Sequence, residues 1–178
     1  AMFFFRGPNC WEALGFARWN PSYLISVPVM ELLALPVFGF SVVASEAVMR
    51  SFGMSVRPPA ALEILLNSDN AAFMMVAFSA VVMAPVAEEI IFRRFIFCWM
   101  ARHVGTAGAL VTTSALFAAI HQSALQFAAL FMLAALLQIL YIRTRSVYPC
   151  ILMHFLQNSI SVGCIWLVRT FKLETPPF

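Results

Sequence analysis

Residues 71–100 form a thirty-residue run that is apolar almost throughout, yet Glu88, Glu89, Arg93 and Arg94 are set inside it. At 1.5 Å per residue such a run makes a helix of about 45 Å, longer than the roughly 30 Å hydrocarbon core of a bilayer. It must tilt, kink at Pro85 or project into water. Four more apolar runs share the chain, at residues 22–44, 109–122, 124–142 and 148–168. With 62% hydrophobic and 11% charged residues, the chain holds more apolar side chain than one globular core can absorb. The expected fold is all-α, a multi-pass transmembrane helical bundle of about five spans. Residues 1–20 interleave Phe3, Phe4, Phe5, Trp11, Phe16 and Trp19 with charge, which suits an amphipathic helix lying in the headgroup region. The division follows: 1–20 interfacial, 21–70 a first span and connecting loop, 71–172 the membrane core that carries the chemistry.

The net charge of +3 comes from basic residues at the ends of apolar runs. Snorkelling and orientation explain them, so no nucleic-acid partner is indicated; the partner is the lipid bilayer. Arg6 and Arg18, with the basic turns near 102–108 and 143–145, put the N-terminus on the cytoplasmic side. Cys10, Cys98, Cys150 and Cys164 are scattered without a CxxC pair, which indicates neither a disulfide framework nor a cysteine zinc site. The chain opens on Ala1, which leaves room for further spans ahead of it, and its compactness favours a bacterial plasma membrane over an organellar or endoplasmic-reticulum membrane.

A charged group at bilayer depth costs about 2.5–3.5 kcal/mol on insertion scales, so it lines a cavity, pairs, or does chemistry. Glu89 and Arg93 stand four apart and can pair along a helix, while Glu88 points about 100° away, over Phe92. The expectation is a division of labour in which Arg93 holds Glu89 ionised and Glu88 stays in a drier place as a base, the two being unable to face one ligand. The alternative is one buried ion network that only holds helices together. Glu31 is the lone charge of the first run, either a functional carboxylate or a structural partner for an intramembrane arginine.

Register brings other polar residues toward Glu88. If residues 71–100 and 109–122 form an antiparallel hairpin centred between Val104 and Gly105, Glu88 lies 16.5 residues before the centre and His121 16.5 after it. Both then reach the same depth. His154 and Asn158 share one helix face at i, i+4 and both can donate hydrogen bonds, although two polar residues gluing helices together would look the same. His154 is only about nine residues from its own turn, an offset of roughly 10 Å from His121 that the fold must absorb. A carboxylate and a histidine can take a proton from water, and a histidine and an amide can hold the oxyanion of a tetrahedral intermediate. No GxSxG or HExxH is present, and Asp69 is the one aspartate, which excludes the serine, HExxH-metal and paired-aspartate protease patterns.

Glu88-Glu89-Ile90-Ile91-Phe92-Arg93 fits EExxxR, Phe117 to His121 fits FxxxH, and His154 to Asn158 fits HxxxN. In order and spacing the chain resembles the CAAX protease and bacteriocin-processing (Abi) family, which includes the Ras-converting CAAX endopeptidase, a glutamate-dependent intramembrane protease. The resemblance covers about residues 71–164. It implies a membrane endopeptidase without a metal cofactor, with Glu88 and His121 activating water, His154 and Asn158 forming the oxyanion hole, and Glu89, Arg93 and Phe117 in support. Substrates would be CAAX-type prenylated tails, bacteriocin-type leaders or other membrane-near peptides. Three alternatives stand beside it: a zinc protease using Glu88, His121 and His154; a non-proteolytic scaffold or immunity protein that keeps the fold; and a transporter, since intramembrane charges also mark ion paths.

Overall fold

The computed structural model describes Gly15, Phe16 and residues 19–172. The interfacial segment expected over residues 1–20 therefore lies mostly outside the described residues. The elements are α1 (Tyr23–Ser51), α2 (Ala60–Asn67), α3 (Asn70–Phe78), a π-helical segment (Ser79–Met83), α4 (Ala84–Glu89), a second π-helical segment (Ile90–Ile96), α5 (Phe97–Ile120), α6 (Phe127–Thr144) and α7 (Tyr148–Phe171). Among the described residues there is no strand.

Four helical segments are long and apolar enough to cross a membrane: α1, the continuous run Asn70–Ile120, α6 and α7. The second is folded in half. Gly105, at φ 75° and ψ 170°, breaks α5 in a conformation essentially confined to glycine. The two arms return antiparallel, and Phe92 meets Phe117 edge-on at 5.1 Å between ring centroids. Those residues are equidistant from the point between Val104 and Gly105, so the hairpin has the register its sequence implied. Five apolar rods result, in an integral, multi-pass all-α bundle.

Local chemistry accounts for the remaining boundaries. Asp69 caps α3, its Oδ1 accepting from the Ala72 N–H at 2.8 Å. Pro59 precedes α2, where a missing N–H costs nothing. Pro28 and Pro36 lie inside α1, as prolines do in membrane helices whose neighbours compensate for the lost bonds. The distortion expected at Pro85 takes the form of the π segment just before it, which absorbs the misfit of a proline in a helix interior.

α6 packs against α5, α1 and α7, and α7 also contacts the first π segment, α4 and α2. Val27, Phe97, Leu137, Tyr141, Val147 and Met153 form the main core. Phe92, Phe117 and Ala134 form a second cluster. Outward, Leu24, Ile25, Leu33, Phe40, Met75 and Phe78 stand more than half exposed, an apolar surface that lipid covers. Trp19 and Tyr148 meet at 5.4 Å, and Gly15 O accepts from the Val147 N–H, which fastens Gly15 and Trp19 to the α6–α7 turn.

The depth offset is absorbed by the hairpin reaching further than its neighbour. Phe97 lies beside Tyr141, at 6.3 Å between centroids. Phe97 is eight residues from Gly105, but Tyr141 is only four from Arg145. That difference supplies about 6 Å of the roughly 10 Å needed.

Candidate active site

The pairing expected along the helix is present. Arg93 Nη2 donates to Glu89 Oε1 at 3.1 Å, and Arg93 Nε lies 2.8 Å from Glu89 Oε2. Both side chains are sealed off, at 1% and 0% exposure. The face of Phe117 lies 5.5 Å from the Arg93 guanidinium carbon, so the cation meets a carboxylate on one side and an aromatic ring on another.

Two expectations about the glutamates are corrected. Glu89, not Glu88, occupies the dry place; the Glu88 side chain is 26% exposed and lines a cavity. The two also converge on one group after all. His154 Nδ1 lies 3.0 Å from Glu89 Oε1, and His154 Nε2 lies 3.9 Å from Glu88 Oε2. The 100° between neighbouring side chains did not prevent this because an imidazole presents its two nitrogens in different directions. Glu89 offers its oxygens to Arg93 as acceptors, and the Nδ1–H of His154 is the donor of that bond. The 3.9 Å gap on the other side is too long for a direct hydrogen bond.

His121 caps the end of α5, where Gln122 turns left-handed at φ 52°. Its Nδ1 lies 2.7 Å from Phe117 O, so Nδ1–H is the donor, and in a neutral imidazole Nε2 is then the acceptor. Phe117 is the hub: fully buried, it lies 4.8 Å from the His121 ring and 5.9 Å from the His154 ring. Asn158, one turn beyond His154, donates from Nδ2 to Ala80 O at 2.8 Å.

Glu88, His121, His154 and Asn158 thus all line one cavity of about 580 Å³ between α1, α2, α4, α6 and α7. Its other walls are mainly apolar, including Phe38, Leu62, Leu65 and Leu133. Sequence reasoning did not single out Gln157, which lines the same cavity with a buried Oε1 that has no partner. The available signal was its place beside Asn158 in an apolar helix. Nor did it give α2 a role as a wall. Glu31 is fully buried within α1, and among the described residues neither of its oxygens has a hydrogen-bond partner, so the arginine partner considered for it is not found there.

The arrangement has the parts for hydrolysis: a carboxylate with a free oxygen, an imidazole with an open lone pair, and two donors on an adjacent helix. Comparison with known proteins bears on which hydrolysis. The family model described as type II CAAX prenyl endopeptidase Rce1-like matches residues 70–160, half of the chain and all of the residues just described except those of α1 and α2. No curated protein and no solved structure matches. The chain belongs to the type II CAAX prenyl endopeptidase Rce1-like family, a family of membrane proteases.

Proposed function

We propose that the protein is an intramembrane endopeptidase that cleaves a membrane-near peptide, such as a CAAX-type prenylated tail or a bacteriocin-type leader, with water activated by Glu88 and His121. The observation that carries this reading is the approach of Glu88 Oε2 to within 3.9 Å of His154 Nε2 on the wall of a cavity that His121 and Asn158 also line. Water held in that cavity gives one proton to Glu88 while its other hydrogen is held by His121 Nε2. The hydroxide oxygen bonds to the scissile carbonyl carbon. The carbonyl oxygen becomes an oxyanion, bound by Nε2–H of His154 and the second N–H of Asn158. On collapse the C–N bond breaks, and the leaving nitrogen takes the proton from Glu88, which restores the carboxylate.

The scheme requires His154 to carry a proton on both nitrogens, since Nδ1–H is already given to Glu89. Two carboxylates, Glu88 and Glu89, then face two cations, Arg93 and His154, and these four charges balance. Neutrality is what a site at bilayer depth demands. The scheme uses no metal. Among the described residues no three His, Cys, Asp or Glu side chains converge closely enough to share an ion.

The test uses purified protein in detergent with an internally quenched, farnesylated CAAX peptide, alongside a proteomic comparison of peptide termini in cells carrying wild-type or Glu88→Gln protein. Glu88→Gln is expected to remove cleavage, and Asn158→Ala to lower kcat by about 10²–10³-fold, the usual cost of an oxyanion donor. Chelation is expected to leave the rate unchanged. A Glu88→Gln protein that folds and cleaves at the wild-type rate would refute the mechanism. Cellular function that survives Glu88→Gln would instead point to a binding protein.

A further inference from the structure

The amide that the proposed mechanism uses is held by a main-chain carbonyl that a proline leaves open. In the first π segment the Ala84 N–H bonds to Ser79 O, one residue further back than in an α-helix. In the same register the next donor, at residue 85, would fill the carbonyl of Ala80. Residue 85 is proline and has no N–H. An orphaned carbonyl inside a membrane protein must find another donor, because lipid supplies none. The donor is Asn158 Nδ2, at 2.8 Å, from a residue 78 positions away in sequence.

We propose that Pro85 is a positioning residue for the reaction: by withholding its N–H from Ala80 O, it makes that carbonyl the anchor that orients the Asn158 side chain. A primary amide has two N–H groups. With one committed to Ala80 O, the amide plane is fixed, and the second N–H is left for the cavity that Asn158 lines. Without the anchor the amide could turn about its terminal torsion, which is broad and roughly two-fold, and would present its oxygen to an oxyanion half of the time. Pro85 is itself fully buried, between the π segment and the helix pair that carries the site. The inference rests on the reading of Asn158 as an oxyanion donor.

Two substitutions restore the N–H. Pro85→Ala does so with a loss of two side-chain carbons, and Pro85→Val does so with the same three carbons in a bulkier shape, so a packing defect would separate them. The tether is read first and without reference to any reaction, by NMR of protein labelled with ¹⁵N-asparagine, the Asn158 side-chain signals being assigned by their absence in Asn158→Ala. Both Pro85 variants are expected to shift these signals and to lose their protection from hydrogen exchange. With the quenched farnesylated peptide, both are expected to lower kcat at least tenfold with KM within about twofold, and Pro85→Ala is expected to cost nothing more when added to Asn158→Ala. Unchanged Asn158 signals in both variants overturn the proposal, and so do kcat losses that multiply in the double variant. Failure of the underlying reading has a separate signature, namely Asn158→Ala cleaving at the wild-type rate.

Discussion

Replacing Arg93 by methionine tests how the site is built, because it removes a charge and keeps most of the side chain's bulk. At 2.8 Å the Glu89–Arg93 attraction is about 6 kcal/mol with an effective dielectric constant of 20. Much of that is offset by the cost of taking both groups out of water, so the pair itself is worth far less. Removing one partner is another matter, since it strands the other in a dry interior. Glu89, at 0% exposure, would keep only the His154 imidazole as a partner. Breaking such a buried pair costs about 3–5 kcal/mol. At this chain length 1 kcal/mol shifts a melting temperature by about 2–4 °C, so Arg93→Met should melt about 6–20 °C below wild type. The assay is thermal unfolding in detergent followed by tryptophan fluorescence, which the four tryptophans allow. Glu89→Gln combined with Arg93→Met removes both charges and should recover most of the loss. A single variant within about 1 kcal/mol of wild type, or a double variant no better than the single, would refute the claim that Arg93 exists to neutralise Glu89.

Two other substitutions probe the frame around the site. Gly105→Ala places a side chain at φ 75° and ψ 170°, and its Cβ meets nothing within 4 Å, so the cost is backbone strain alone, about 1–3 kcal/mol by the same melting assay; the turn is distant from the cavity, and cleavage below the melting point should persist. Glu31→Met removes a buried carboxyl that has no hydrogen-bond partner among the described residues and should raise stability by about 1–3 kcal/mol; a lowered melting temperature would show that Glu31 has a partner the packing of α1 does not reveal.

How far the sequence could be read depended on which elements had to meet. The spans were legible because hydropathy over some twenty residues is a strong signal. The hairpin register was legible because a single turn at Gly105 fixes it, and Phe92 against Phe117 follows from Glu88 being level with His121. Which glutamate α7 would meet was not legible. Its His154 reaches Glu89 across 65 positions, and no local pattern announces which glutamate an arriving helix will cover. Periodicity gave the pairing of Glu89 with Arg93 correctly and the surroundings of the two glutamates in reverse. The π segments were invisible for a different reason, since a shift from i−4 to i−5 hydrogen bonding leaves no trace in composition.

The two readings of the intramembrane charges, an ion network that holds helices and a site that does chemistry, are not rivals once the atoms are assigned. Apolar packing alone gives membrane helices little reason to associate, since lipid tails are as apolar as leucine, so polar contacts do much of the docking. On α7, His154 and Asn158 lie one turn apart and bind Glu89 and Ala80 O, on either side of Pro85. These two bonds fasten α4 and the π segment before it to α7. Glu89 is consumed by that task, both its oxygens lying against Arg93 and one also against His154. Glu88 is not; its Oε2 has no hydrogen-bond partner among the described residues, and its side chain lines the cavity. One glutamate of the pair docks the helices and so fixes where the other must stand. A carboxylate left over in this way, beside a buried ion pair that is matched, has little structural reason to be there.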